Sequence, residues 1–350
     1  MKYGFNQDNP IEIGIYTLGD HMPNPNTGEI VSAKERIHEI INLAKLADEL
    51  GLDYFGLGES HQEHFVAQAH AVILGNIAQA TKNLKIGSAS TIISTSDPVR
   101  IYENFATLDL ISDGRAEIVA GRGSRVGLFD LLGYDVDYYE ELYDEHFKLL
   151  NLINKNERVS WEGNFRKPLN NVQVLPRAER EIPLWRAVGG APASAIEAAW
   201  QGIPMILAHL VGPVDTYKRT VDAYRQAATE AGHDANELPL TTSGFMFIGD
   251  TTEEAISESF AFANNGFKLA NGIGFNKRSF NHAKSVDSIA AIGDKDLIVE
   301  KIHHQYETYG MQRYVVEIDF GGVPYSKQVE TLEILASYIA PKIRKITGKK

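Results

Sequence analysis

Residues 84 to 124 read LKIGSASTIISTSDPVRIYENFATLDLISDGRAEIVAGRGS, and this stretch contains the clearest signals of the fold class. Its apolar segments predict one strand over 84–90 and a second strand over 116–121. Between them Asp97 and Pro98 predict the start of a helix, because Asp caps the first turn and Pro at the first helical position sacrifices no hydrogen bond. A strand, a helix and a parallel strand form the repeating unit of α/β folds.

The same alternation extends in both directions. Ser32 and Glu35 have the spacing of a capping box at the start of a helix that ends near Gly51. In total the sequence predicts eight strands, over residues 11–17, 54–58, 84–90, 116–121, 183–188, 204–209, 240–248 and 313–319. The later helices are predicted over residues 68–80, 98–111, 138–154, 193–201, 214–231, 252–264, 295–309 and 325–345.

Eight alternating strands and helices fit either a doubly wound sheet or a closed (β/α)8 TIM barrel, and the strand count and the length of 350 residues favour the barrel. No linker rich in Pro, Ser or Gly divides the chain, so we expect a single domain over 1–350. The segment 266–293 shows no clear strand or long helix and is predicted to be an insertion after the seventh strand. We expect this segment and the loop 18–31 to act as lids.

Composition excludes several classes of function. The formal net charge of -12, from 46 acidic and 34 basic residues, argues against nucleic acid and anionic membranes as partners. The absence of cysteine excludes disulfides, thiolate metal sites and cysteine nucleophiles. No signal peptide and no apolar run long enough to span a bilayer is recognisable, so we expect a soluble, cytoplasmic protein.

The stretch AEIVAGRGSRVG, residues 116 to 127, ends a strand in glycines, but it is not a dinucleotide fingerprint. The sequence predicts no helix directly at its last glycine, and no acidic residue at the end of a following strand. Arg122, Ser124 and the amides exposed by glycine remain suited to a phosphate. The alternative is that Arg122 ties strand ends together through a carboxylate and the glycines only make turns.

A second candidate anion site is AVGGAPAS, residues 187 to 194. Here a strand ends in Gly189 and Gly190, and a helix begins with Ser194 in its first turn, so amides and hydroxyl could bind a phosphate. Ordinary capping of a helix is the alternative. Because the two candidate sites follow neighbouring strands, the fourth and the fifth, they could converge on one phosphate.

GESHQEHF, residues 58 to 65, supplies Glu59 and His61 just after the second strand. Its histidines lack the spacing of zinc sites, and we predict no metal. Both side chains are candidates to line the pocket, with His61 as an acid or base near neutral pH. A histidine that only bonds a neighbouring loop is the alternative.

The segment 84–124 strongly resembles the bacterial luciferase-like, flavin-dependent monooxygenases, as do GLGESH at 56–61 and WRAVGGAPASAIEAAWQGIPMILA at 185–208. The resemblance implies a luciferase-like TIM barrel that binds FMN or, in one branch, a deazaflavin. It also implies that Arg122 holds the flavin phosphate, opposite the glycines of 189–190 and Ser194. Ala89 and Ser90 fall where family members often have a non-proline cis peptide bond beneath the flavin ring.

One departure from the family concerns the second strand. Luciferases have Glu-His-His where this chain has Glu59, Ser60 and His61, so light emission from an aldehyde is not expected. The resemblance implies a monooxygenase that uses dioxygen and reduced FMN supplied by a separate NAD(P)H:flavin reductase. It further implies a homodimer formed through the helices after the second and third strands.

The alternatives are a flavin or deazaflavin reductase that transfers hydride, a flavin-binding protein without catalysis and, third, a barrel hydrolase without flavin. The identity of the small organic substrate does not follow from the sequence.

Overall fold

The computed structural model describes residues 3, 5–6, 8–123, 127–235 and 237–348. Within these residues the strands are β1 (Glu12–Thr17), β2 (Tyr54–Leu57), β3 (Lys85–Ser88), β4 (Thr91–Ile92), β5 (Ala116–Gly121), β6 (Arg158–Trp161), β7 (Leu169–Gln173), β8 (Leu184–Val188), β9 (Met205–Leu207), β10 (Leu240–Ile248), β11 (Ala291–Gly293) and β12 (Arg313–Glu317). The α-helices are α1 (Ala33–Glu49), α2 (His70–Ala80), α3 (Pro98–Ile111), α4 (Gly127–Leu132), α5 (Tyr139–Lys155), α6 (Pro192–Trp200), α7 (Val214–Glu230), α8 (Thr252–Asn271), α9 (Lys277–Phe280), α10 (Lys295–Tyr309), α11 (Tyr325–Ile334) and α12 (Ala340–Thr347).

Eight of these strands form a closed, parallel ring. Going around it, β1 pairs with β2, followed by β3, β5, β8, β9, β10 and β12, and β12 pairs again with β1. Helices connect successive strands and cover the outside. The predicted (β/α)8 TIM barrel is therefore confirmed, with strand bounds that differ from the prediction by a few residues.

Local sequence signals explain how the helices begin. Ser32 accepts from the backbone N–H of Glu35 while the Glu35 carboxylate accepts from the backbone N–H of Ser32, which completes the predicted capping box of α1. Asp97 accepts from the N–H of Val99 at 2.8 Å and Pro98 is the first residue of α3. These caps satisfy amides that the first turn of each helix cannot pair internally.

The amino-terminal end of the barrel is filled by charged and aromatic side chains. Arg313, at the start of β12, is fully buried and donates to both carboxylate oxygens of Glu117 at 2.7 and 2.9 Å. Its guanidinium carbon lies 4.3 Å from the centre of the Tyr54 ring. Because this paired charge fills the amino-terminal end of the barrel interior, we expect the functional cavity at the carboxyl end of the strands.

The structure corrects the prediction in three places. A short helix, α4, begins at Gly127, the last glycine of the 116–127 stretch, where no helix was predicted. The hairpin of β6 and β7 was not predicted. Its two strands are short and mostly exposed, and apolar residues alternate with polar ones over only four positions of β6. The insertion 266–293 contains more regular structure than expected: α8 extends to Asn271, and β11 pairs in parallel with β10. Among the described residues, none of the helices combines the length and apolarity needed to cross a bilayer.

Candidate functional site

A cavity of about 910 Å³ opens at the carboxyl end of the strands. This volume lies in the upper part of the range of roughly 300–1,000 Å³ that is usual for small-molecule sites, so it has room for a large cofactor and a small second molecule. The sequence-predicted residues that line it are Glu59, His61, Ala89, Ser90, Arg122, Gly189 and Ser194. The loops after β2, β3, β5 and β8 therefore meet as a parallel barrel requires.

One corner of the cavity carries hydrogen-bond donors. Arg122 follows β5, and its Nη2 donates to the hydroxyl of Ser194, which is in the first turn of α6. Gly189 and Ala191 line the cavity between β8 and that helix. We call Arg122, Gly189, Ala191 and Ser194 the anion corner.

The direct ion pair of the anion corner is weak, although the negative charge of Asp144 also acts on Arg122. The Glu140 carboxylate lies 3.9 Å from Nη1 of Arg122, and its side chain is 76% exposed. An exposed ion pair of this kind contributes about 0–1 kcal/mol, so Glu140 can be displaced by a ligand. Because Glu140 belongs to α5 and not to a strand end, this contact does not support the alternative role of Arg122 in tying strand ends together.

The floor beside this corner is made of small residues in close contact. The Ala89–Ser90 peptide bond is cis, at the position where the family resemblance implies such a bond. A Cβ at Gly121 would overlap the Ser90 hydroxyl and lie 2.9 Å from Ser90 Cβ, while a Cβ at Gly58 would lie 2.9 Å from the Ala89 carbonyl oxygen. Glycine at 58 and 121 is thus required for the loops to approach one another here.

Glu59 holds His61 in one orientation. Its Oε2 accepts from the backbone N–H of Ile92 at 2.7 Å, and its Oε1 lies 2.8 Å from Nε2 of His61. Because a carboxylate only accepts, the hydrogen of the imidazole is on Nε2 in this contact. Among the described residues Nδ1 of His61 has no partner, so it is the ring nitrogen available to a ligand.

Glu59 also borders a second histidine, which the sequence analysis did not single out. His70 is buried in α2, with Nδ1 at 3.8 Å from Oε2 of Glu59 and Nε2 at 2.8 Å from the Thr91 hydroxyl. Burial lowers the pKa of His70, and the positive charge that His61 can carry lowers it further, although Glu59 opposes the shift. His70 is thus neutral at physiological pH.

Two predicted residues are not part of the observed lining. Ser124 lies outside the described residues. Gly190 faces α7 instead of the cavity: its φ is +102°, and a Cβ at this position would lie 2.8 Å from the Tyr217 ring. The two glycines of the 187–194 stretch therefore have different surroundings, with Gly189 at the cavity and Gly190 against a helix.

The sequence analysis did not identify two further residues near the anion corner, Tyr143 and Arg186. The Tyr143 ring, in α5, lies beneath two guanidinium groups, with the Arg122 carbon at 5.5 Å and the Arg186 carbon at 4.9 Å from its centre. Arg186 is buried and bonded to the Glu197 carboxylate of α6. Cation–π contacts of this kind fix the plane of a guanidinium.

The comparisons with known proteins agree on one protein family. The family model described as "Luciferase-like monooxygenase" matches residues 11–313. An uncharacterised protein of Sinorhizobium fredii is 26% identical over 87% of this chain and 91% of its own length. The alkanal monooxygenase alpha chain of the Kryptophanaron alfredi symbiont is 30% identical over 63% of this chain, and the match spans only 62% of that alpha chain.

Solved structures share the fold over nearly the whole chain. The monooxygenase RslO1 from Streptomyces bottropensis has a TM-score of 0.83 at 22% identity, covering 95% of this chain and 99% of that one. The oxygenating constituent of 3,6-diketocamphane monooxygenase from Pseudomonas putida, in complex with FMN, has a TM-score of 0.75 at 20% identity and the same coverage. The coenzyme F420-dependent tetrahydromethanopterin reductase of Methanopyrus kandleri reaches 0.71 at 20% identity, again covering 95% and 99%.

Proposed function

The chain belongs to the luciferase-like monooxygenase family of flavin-dependent enzymes, and from this premise we propose that it is a cytoplasmic, single-domain, FMN-dependent monooxygenase. It uses reduced FMN and dioxygen to oxidise a small organic molecule. The observation that carries this proposal is the anion corner, which places Arg122 and Ser194 at the edge of a cavity of about 910 Å³.

The donor set of the anion corner fits a phosphate. A guanidinium provides two parallel donors, and the Ser194 hydroxyl adjoins it. No side chain caps α6 in the described part of the chain, so the amides of its first turn are also available to an anion. The Glu140 carboxylate, exposed to solvent, is the group that the phosphate replaces.

The floor of small residues fits a flat ring system. Ala89, Ser90, Gly121 and Ala187 line the cavity with little side-chain bulk, next to the anion corner. A planar ring can lie against such a surface in van der Waals contact while its side chain reaches the corner. When bound, the flavin supplies the electrons with which dioxygen is reduced.

His61 is the residue that we propose to handle a proton. Glu59 keeps the hydrogen of Nε2, so Nδ1 can accept or donate a proton on the cavity side. Leu18, Ile92 and Leu128 give the same cavity apolar surface. The neutral His70 behind Glu59 adds no competing charge.

The proposed partners are a second copy of the chain and a flavin reductase. A groove of about 360 Å³ runs between α2 and α3, and Val72 and Ile111 on these helices are 68% and 40% exposed. An apolar surface of this kind supports dimerisation through these helices. The sequence has no nicotinamide fingerprint, so a separate NAD(P)H:flavin reductase supplies the reduced FMN.

Cofactor titration and isotope incorporation test the proposal together. We expect FMN to bind more tightly than riboflavin or coenzyme F420, with binding followed by flavin fluorescence. The complex is then given reduced FMN, ¹⁸O₂ and a panel of small aldehydes and ketones, and products are analysed by mass spectrometry.

One ¹⁸O atom in a product supports a monooxygenase. Reduction of a substrate without ¹⁸O, with F420 preferred, would instead identify a hydride-transfer reductase. Tight binding of oxidised FMN without turnover across the panel would favour a flavin-binding protein without catalysis.

A further inference from the structure

We propose that Thr220, in α7, is a positioning residue that directs the peptide group between Gly190 and Ala191 and thereby sets the preference of the site for phosphorylated flavin. The inference rests on the function proposed above, because it concerns the same anion corner. Thr220 is 1% exposed and is not among the described residues that line the cavity. It acts through the backbone that it holds.

The Thr220 hydroxyl donates to the carbonyl oxygen of Gly190. One helical turn earlier, the ring of Tyr217 occupies the space beside Gly190 in which a Cβ would lie. Gly190 has a φ of +102°, which only glycine adopts readily, so both the residue type and its neighbours in α7 are matched to this conformation. The Gly190 carbonyl is therefore directed toward α7.

The direction of this carbonyl fixes the direction of the next amide. In a trans peptide group the C=O and the N–H point to opposite sides, and the cis bonds found in the described residues are Ala89–Ser90 and Leu175–Pro176. With the Gly190 carbonyl on the α7 side, the Ala191 N–H points to the other side, where Ala191 lines the cavity. Among the described residues no acceptor takes this N–H, so it is free to bind a phosphate oxygen beside Arg122 and Ser194.

Removal of the Thr220 hydroxyl changes the balance between two orientations of the peptide group between Gly190 and Ala191. The half-buried Gly190 carbonyl then faces α7 without the Thr220 donor, which is unfavourable. Glycine at 190 allows the peptide to turn over, and the carbonyl oxygen would then point into the anion corner. A phosphate would lose one donor and meet a negative dipole end, whereas a ligand without phosphate would be unaffected.

The test compares FMN and riboflavin, which differ by the phosphate, in wild type, Thr220→Val and Thr220→Ser. Valine keeps the shape without the hydroxyl, and serine keeps the hydroxyl. We expect Thr220→Val to weaken FMN binding by about tenfold or more and riboflavin binding by less than about twofold, and Thr220→Ser to restore the wild-type ratio. Thr220→Cys, with a weakly donating thiol, gives the same comparison if the valine variant does not fold.

Equal losses for both flavins in Thr220→Val would show a structural role only and overturn the inference. An unchanged ratio in Thr220→Val, in a protein whose FMN preference is lost in Arg122→Ala, would overturn it while leaving the proposed function intact. A wild type that binds FMN no better than riboflavin would contradict the proposed function itself, and the inference with it.

Discussion

Arg122→Ala is predicted to weaken the binding of FMN by about tenfold to a hundredfold while leaving the affinity for riboflavin unchanged. A hydrogen bond to a charged group contributes about 1.5–3 kcal/mol, and each 1.4 kcal/mol changes a dissociation constant by about tenfold. The side chain of Arg122 is 24% exposed, so solvent screens part of its charge and we do not expect the upper end of this range, beyond about a hundredfold.

The protein should remain folded with the same substitution. The ion pair of Arg122 with the exposed Glu140 contributes about 0–1 kcal/mol, and the contact with the Tyr143 ring about 0.5–1 kcal/mol. The hydrogen bond to the Ser194 hydroxyl adds about 0.5–1.5 kcal/mol. The expected loss in the free energy of unfolding is therefore about 1–3 kcal/mol, small enough for binding to be measured on folded protein.

The assay is quenching of flavin fluorescence, measured for FMN and riboflavin at low and at high salt. Arg158→Ala is the matched control, since Arg158 is an exposed arginine of the β6–β7 hairpin bonded to Asn171 at 3.0 Å. We expect the control to bind both flavins like wild type. Equal weakening of FMN and riboflavin by Arg122→Ala, or no weakening of FMN, would refute the assignment of Arg122 to the phosphate.

Three further predictions concern stability and assembly. Gly121→Ala should lower the free energy of unfolding by about 1–3 kcal/mol in urea titrations, because the added Cβ overlaps the side chain of Ser90; wild-type stability would contradict the close contact. Burial lowers the pKa of His209 to about 4, so the unfolded state binds more protons between about pH 4 and 6.5 and stability falls on acidification. His209→Gln should therefore lose about 2 kcal/mol less stability than wild type between pH 7.5 and 5, and equal losses would show that His209 does not carry this dependence. Val72→Asp should convert a dimer into a monomer in light scattering, while the control Ile346→Asp, at an exposed apolar residue of α12, stays dimeric; a dimeric Val72→Asp would place the interface elsewhere.

The elements of the barrel could be predicted from signals that each lie within one element. Asp97 and Pro98 specify the start of α3 whatever the rest of the chain does, because a cap is a contact between near neighbours. The hairpin of β6 and β7 could not be predicted in this way. β6 alternates polar and apolar residues over only four positions, and β7 has Asn170 and Asn171 side by side, so the apolar pattern is too short to mark the two strands.

The same distinction between contacts that the sequence pattern specifies and contacts that depend on packing applies to the candidate site. Residues that directly follow parallel strands could be placed from topology, since the ends of neighbouring strands must meet; Arg122 and Ser194 are bonded for this reason. The orientation of Gly190 and the position of Tyr143 depend on how α7 and α5 pack on the barrel, which involves side chains far away in sequence. Thr220 belongs to α7 and contacts the anion corner through the Gly190 carbonyl. Its role therefore depends on how α7 packs on the barrel, which the order of the strands alone does not specify.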